Sequence, residues 1–207
     1  MNDRNVKGSR RLERLWAGEF GDAYTGRNRG FGHDRGLFWE PILAEFPVGS
    51  VLEVGCNIGL NLVSILARNG RSQAFGIDLN HGALMELRAA LPEVHAVEGT
   101  GRMLPFADAS FDLVFTMGVL IHQAPDAIDG VMKEVVRCSR RYILCCEYYA
   151  SEVIEVPYRG QRGALYKRDF GARYLELHPT LALRATGTPV PGAFPDERMY
   201  WVFEKPV

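Results

Sequence analysis

The stretch Val51-Leu-Glu-Val-Gly-Cys-Asn-Ile-Gly-Leu-Asn-Leu62 constrains this chain most, because it reads as a buried strand entering a glycine turn and then a helix. Val51, Leu52 and Val54 supply the strand; Leu60, Leu62, Val63, Ile65 and Leu66 give the next segment a helical apolar face. Gly55 and Gly59 bracket the turn and let the backbone come close to a nucleotide, which the free N–H groups at the helix start then face. A phosphate loop needs Lys and Ser or Thr after its last glycine, and Leu60 and Asn61 stand there instead. The dinucleotide fingerprint GxGxxG is also missing: the pattern is ExGxxxG, with Asn57 where a middle glycine would sit. Asn tolerates the left-handed conformation, so the turn survives. Glu53, two residues before Gly55, would repel a pyrophosphate and suits a cationic ligand, which points to a sulfonium nucleoside.

Further along, Ala74-Phe-Gly-Ile-Asp78-Leu-Asn80 reads as a second strand ending in a carboxylate, placed to accept ribose hydroxyls. Glu98-Gly-Thr-Gly-Arg-Met-Leu-Pro-Phe106 and Ser110-Phe-Asp-Leu-Val-Phe-Thr-Met117 follow in order. Together these stretches resemble the motifs of class I S-adenosylmethionine-dependent methyltransferases. That resemblance implies a donor site of Gly55, Asn57 and Gly59 with Cys56 in the turn, Asp78 and Leu79 at the ribose, Thr100 and Gly101 at the adenine, and Met117 and Gly118 at the amino-acid end. Glu53 would act on the ammonium, with a cation as its alternative partner, and Asp78 has helix capping as its alternative role.

The rest of the chain alternates strand and helix: strands near Gln73–Asp78, Val94–Val97, Phe111–Thr116 and Arg141–Cys146, with helices near Leu60–Arg68, His81–Leu91 and Asp126–Cys138. A helix over Phe170–Leu177 and strands near Leu181–Thr186 and Met199–Phe203 close the pattern. The expected fold is α/β: a Rossmann-like doubly wound sheet, mostly parallel, with an antiparallel C-terminal strand pair. Residues 1–45 are expected to form a helical cap or lid, and 46–207 a methyltransferase core with a substrate-loop insertion near 150–170.

At 207 residues and 47% hydrophobic content the chain can bury a full core. A net charge of −1 gives no general pull toward nucleic acid or an anionic membrane, and no stretch reaches spanning length. Cys56, Cys138, Cys145 and Cys146 lack zinc or disulfide spacing and read as reduced thiols of a cytoplasmic protein. His33, His81, His95 and His178 show no metal-ligand spacing, and no metal is expected.

Two flanking segments carry the remaining candidates. Leu12, Leu15, Trp16 and Phe20 recur at helical spacing, followed by a turn-rich Gly21–Asn28 stretch. Either this caps the sheet, or it closes over the ligands with Tyr24 near the sulfonium and Arg27 on a carboxylate. After the fifth strand, Tyr148, Tyr149, Tyr158, Arg159 and Lys167 are candidates for an acceptor that carries a carboxylate or phosphate; solvated loop charges are the alternative for the cations. Methyl transfer by in-line displacement rests mainly on positioning. If a proton must leave, His122 and Glu147 are the candidate bases.

Leu15–Asn28, Glu53–Leu62, Gly118–His122, Glu147–Tyr149, Pro157–Gly160 and Tyr166–Phe170 together resemble the methylases associated with pseudaminic acid biosynthesis, over nearly the whole chain. That likeness implies a small-molecule acceptor, such as an anionic sugar or natural-product intermediate. The alternatives are a non-catalytic S-adenosylmethionine-binding protein, an RNA methyltransferase favoured only by the local cations, and an NAD-dependent dehydrogenase, whose GxGxxG and Tyr-x-x-x-Lys are missing.

Overall fold

A computed structural model of the chain describes residues 3–29, 34–70 and 73–206, so His33 lies outside the described residues. Three helices lead in: α1 (Asp3–Ala17), α2 (Glu19–Asn28) and α3 (Gly36–Glu45). Then come β1 (Ser50–Val54), α4 (Leu60–Arg68), β2 (Gln73–Asp78), α5 (His81–Ala90), β3 (His95–Glu98) and β4 (Phe111–Met117). A short 3-10 turn, Leu120–His122, precedes α6 (Ile128–Cys138) and β5 (Ser139–Glu147). A two-stranded ribbon, β6 (Ile154–Glu155) with β7 (Tyr166–Lys167), is followed by α7 (Phe170–Leu177), β8 (Ala182–Gly187) and β9 (Met199–Glu204).

The seven-stranded sheet has the order β3-β2-β1-β4-β5-β9-β8. β1 pairs in parallel with both β2 and β4, and β9 runs antiparallel between β5 and β8. The expected antiparallel pair is thus one reversed strand, β9, wedged between two others. All five residues of β1 are buried, as a central strand covered on both faces requires. One face carries α3, α4 and α5 through Trp39, Leu62, Ile65 and Leu87 against Phe115 and Leu144. The other carries α6 and α7 through Val131, Val135, Phe170 and Tyr174 against Val114 and Phe203. Each such side chain, fully buried, is worth about 1.5–3 kcal/mol.

The order reverses between β1 and β4, so the crevice at their carboxyl ends is where an open α/β sheet binds ligand. Two expectations change. Gly21–Asn28 is helix α2 and not a run of turns, and the segment after β5 contains the β6–β7 ribbon, with its strands joined by a tight turn at Tyr158–Gln161.

Candidate donor and active site

The turn after β1 is held from beneath by β2. Ile77 O accepts the N–H of Gly55 at 2.7 Å and of Cys56 at 3.1 Å, while Gly55 takes φ +77° and Asn57 φ +48°. A Cβ on Gly55 would also overlap the side chain of Val119, so glycine is required twice over. Asn57 N–H then donates to Asp78 Oδ2 at 2.7 Å, and Asn80 N–H to Asp78 Oδ1 at 2.8 Å. The helix cap at this point is Asn80, whose Oδ1 accepts Ala83 N–H at 2.7 Å, so Asp78 is released from the capping role. Burial raises the Asp78 carboxyl above its usual range against those backbone donors.

Glu53 is 2% exposed. Its Oε1 accepts Asn61 Nδ2 at 2.5 Å, and its Oε2 is buried with no hydrogen-bond partner among the described residues. Burial pushes this carboxyl up to about 8. Asn61 Oδ1 in turn accepts Arg35 Nη1 at 2.8 Å. One amide therefore stands between a carboxyl and a guanidinium and keeps them from pairing directly. Glu53, Asn61 and Arg35 all border the cavity, together with Tyr24, Asp78 and Gly118.

His122 borders the same cavity from the turn after β4. Its Nδ1–H donates to Ala164 O at 2.6 Å, which leaves Nε2 as the acceptor nitrogen. Burial pulls the imidazole down to about 4, so the ring is neutral at pH 7. Glu147 is placed otherwise than expected. It is fully buried, with Oε1 accepting Val119 N–H and Leu120 N–H, both at 3.1 Å, and Oε2 accepting Ile121 N–H at 3.4 Å. The three free amides at the start of the short turn claim the carboxylate. Burial still pushes it up to about 7, but it acts as a cap within the wall, which corrects the expectation of a base in the site.

Residues 51–141 match the family model described as a methyltransferase domain. Among solved structures, a Burkholderia thailandensis 1,6-didemethyltoxoflavin-N1-methyltransferase with bound 1,6-didemethyltoxoflavin and S-adenosylhomocysteine superposes with TM-score 0.75 at 16% identity, over 96% of this chain and 91% of that one. The Synechocystis PCC 6803 magnesium protoporphyrin IX methyltransferase with bound S-adenosylhomocysteine gives TM-score 0.68 at 13% identity, over 94% and 98%. A putative methyltransferase from Haloferax volcanii, in complex with the Trm112 methyltransferase activator, gives 0.70 at 20%, over 90% and 96%. None of the curated protein sequences matches the chain. The fold is that of the class I S-adenosylmethionine-dependent methyltransferases.

Within this fold, Tyr24, Glu53, Gly55, Cys56, Asn57, Asp78, Leu79, Gly101, Met117, Gly118 and His122 line the cavity. Gly59 and Thr100 stand just behind it. Gly59 takes φ +78° at the start of α4, and Thr100 Oγ1 donates to Glu13 at 2.6 Å. Arg27 is not in the lining; its guanidinium lies 5.7 Å from the Tyr24 ring, with Nη2 buried and without a hydrogen-bond partner among the described residues. Among the described residues no group of three His, Cys, Asp or Glu side chains could hold a metal ion.

Helices α1 and α2 lie over the cavity and are latched to its rim. Thr25 Oγ1 accepts Asn57 Nδ2 at 2.7 Å, Asp22 Oδ1 accepts Asn80 Nδ2 at 2.7 Å, and Glu13 holds Thr100 and Arg102. Trp16 lies tilted against His122 at 4.4 Å, Tyr158 lies tilted against it at 5.0 Å, and Trp16 and Tyr158 stack on each other at 6.4 Å. Of the five loop candidates, Tyr158 and Tyr148 turn inward: Tyr148 Oη donates to Asp196 and its ring has Lys167 at 5.7 Å. Tyr149, 43% exposed, and Arg159, exposed at φ +49°, face outward, which corrects the expectation that they line the acceptor pocket. Asn61, Arg35 and Trp16 were missed as site residues. Only Asn61 left a trace in the sequence, as an amide at the head of an otherwise apolar helix.

Proposed function

We propose that the protein transfers a methyl group from S-adenosylmethionine to a small-molecule acceptor. The observation that carries this reading is the free, buried Oε2 of Glu53 set across Asn61 from the Arg35 guanidinium, an oxygen for an ammonium and a cation for a carboxylate on the two sides of one amide at the glycine turn. Bound there, S-adenosylmethionine supplies an activated methyl group for in-line displacement. Glu53 and Arg35 hold the amino-acid end, Gly55 and Asn57 give the backbone clearance, and Asp78 accepts the ribose hydroxyls with the lone pairs its two backbone donors leave open. Leu79 and Gly101 flank the adenine, with Thr100 behind them.

His122 takes the acceptor's proton on Nε2, which the Ala164 carbonyl keeps free by holding Nδ1–H. Residues 1–45 act as a lid over core 46–207, with Trp16 and Tyr158 fixing the imidazole from above. The likeness to pseudaminic-acid-associated methylases supports an acceptor drawn from sugar or natural-product biosynthesis. Four free, buried cysteines fit a cytoplasmic setting.

The test is titration calorimetry with S-adenosylmethionine, S-adenosylhomocysteine and NAD on the wild-type protein and on Asp78→Ala. Micromolar binding of both sulfur nucleosides, absent for NAD and weakened in the variant, supports the reading. Binding of NAD in place of the sulfur nucleosides would reassign the turn.

A further inference from the structure

Behind Gly118, outside the cavity lining, stands a second buried guanidinium that the donor site leaves unused. Arg198 lies just before β9, its side chain 11% exposed. Asp196 takes two of its nitrogens: Nε donates to Oδ1 and Nη2 to Oδ2, the latter at 3.1 Å. The third nitrogen, Nη1, has no hydrogen-bond partner among the described residues and lies 3.1 Å from the point a Cβ on Gly118 would occupy. Gly118 lines the cavity at φ +68°, so Nη1 is turned to the stretch of backbone that closes it on the side of β4.

The surroundings make this a built position. Asp196 also receives the phenol of Tyr148, and the ring of Tyr148 is flanked by Arg198 at 5.6 Å and Lys167 at 5.7 Å. Arg35 and Arg198 share the Phe194 ring, at 5.5 and 5.0 Å. Asp196 clamps only Arg198, and Arg35 is already tied through Asn61 to Glu53. A guanidinium withdrawn this far from water, with one N–H edge left open, is costly unless an acceptor reaches it. The side of Arg198 that remains open is the side facing Gly118.

We propose that Arg198, backed by Asp196 and flanked by Lys167, recognises a carboxylate or phosphate on the methyl acceptor and so sets the acceptor's nucleophile between Gly118 and His122. This assignment rests on the methyltransferase reading and moves oxyanion recognition from the exposed loop cations to a buried residue beyond β8. Arg presents a planar fork suited to such oxyanions.

The test titrates the full-length protein, saturated with S-adenosylhomocysteine, with benzoate, phenyl phosphate and the uncharged benzamide. At least one oxyanion probe is expected to bind tenfold or more tightly than benzamide. Arg198→Gln is expected to weaken that probe tenfold or more while leaving S-adenosylhomocysteine affinity within twofold. Arg198→Lys keeps the charge against Asp196 but withdraws the nitrogen beside Gly118, and weakens the probe at least threefold, so the test survives if the Gln variant does not fold. Equal binding of benzamide and both oxyanions, or an oxyanion affinity indifferent to both variants, overturns the proposal. A parallel fall in S-adenosylhomocysteine affinity also overturns it, by making Arg198 a donor residue. Failure of the wild-type protein to bind S-adenosylhomocysteine at all removes the reading beneath it, an outcome recognised without any Arg198 variant.

Discussion

Asn57 delivers its backbone N–H to Asp78 at 2.7 Å from the left-handed corner of the turn, so one carboxylate both pins the turn and faces the cavity. Asp78→Ala therefore strands two backbone donors. Each hydrogen bond to a charged acceptor is worth about 1.5–3 kcal/mol, so the variant is expected to lose about 3–6 kcal/mol of stability in urea unfolding. S-adenosylhomocysteine affinity should fall about a hundredfold, which corresponds to about 2.7 kcal/mol. Retention of full affinity would remove Asp78 from the ribose.

Glu53 and Glu147 are held above the ordinary carboxylate range, at about 8 and about 7, so between pH 4.5 and 8 the folded protein binds more protons than the unfolded chain. Stability from these two groups is complete at low pH and is lost as pH rises, by about 1.4 kcal/mol per pH unit for each group in its window. His122, lowered to about 4, works in the opposite direction below its unfolded value, since its stability is present above about 6.5 and is lost toward pH 4. The net fall in melting temperature should thus be steepest between pH 6.5 and 7, where both carboxyls act and His122 no longer opposes them, should continue more gently to pH 8, and should be flattened by Glu53→Gln. A melting temperature that climbs through this interval would contradict the assignment.

Donor binding should reverse the proton preference of Glu53. An ammonium on Oε2 favours the carboxylate, so binding near pH 7 is expected to release a proton. Calorimetry of S-adenosylhomocysteine binding in buffers of different ionisation enthalpy measures that release directly, and Glu53→Gln should abolish it while weakening affinity at least tenfold.

His122 should stay neutral well below the usual imidazole range. Its ring, followed by nitrogen NMR, is expected to hold the Nδ1–H form down to pH 5 and to protonate only near 4. His122→Ala should lower turnover of an ionisable acceptor by about a hundredfold or more without changing S-adenosylhomocysteine affinity. Protonation near pH 6.5 would show that the ring is less enclosed than Trp16 and Tyr158 make it.

Glu147→Ala should behave as a lost cap. It frees three backbone N–H groups of residues 119–121 and is expected to cost about 3–5 kcal/mol, read in urea unfolding, because the donors left behind are buried. A variant of native stability that has lost turnover alone would restore Glu147 to the chemistry.

Local signals carried the sheet, the turn and many of the residues that line the cavity into the sequence. Gly55, Asn57 and Gly59 mark backbone that other residues resist, and the apolar runs of β1, β4 and β5 mark strands covered on both faces. Helix α2 escaped because Gly21, Gly26 and Thr25 are poor helix formers. Its reason for being helical is tertiary, since a Cβ at Gly21 would overlap the carbonyl of Trp16 at the end of α1. Arg35 and Arg198 could not be read at all; they meet on the ring of Phe194, four residues from Arg198 but far along the chain from Arg35. The cation-rich loop misled in the other direction. Arg159 faces solvent, and Arg168, 8% exposed, packs against Tyr166 and Phe170 instead of lining the cavity.

The latches of the lid have a consequence in time. Thr25 and Asp22 grip Asn57 and Asn80, two residues of the donor cavity's own wall. The helices cannot lift without letting go of the floor on which the nucleoside rests, nor settle fully until that floor is set. If α1 and α2 act as a lid, turnover is expected to run like a turnstile, in which the first molecule admitted is the last discharged; departure of the spent nucleoside should then set the pace, and its accumulation should slow turnover before any shortage of acceptor does.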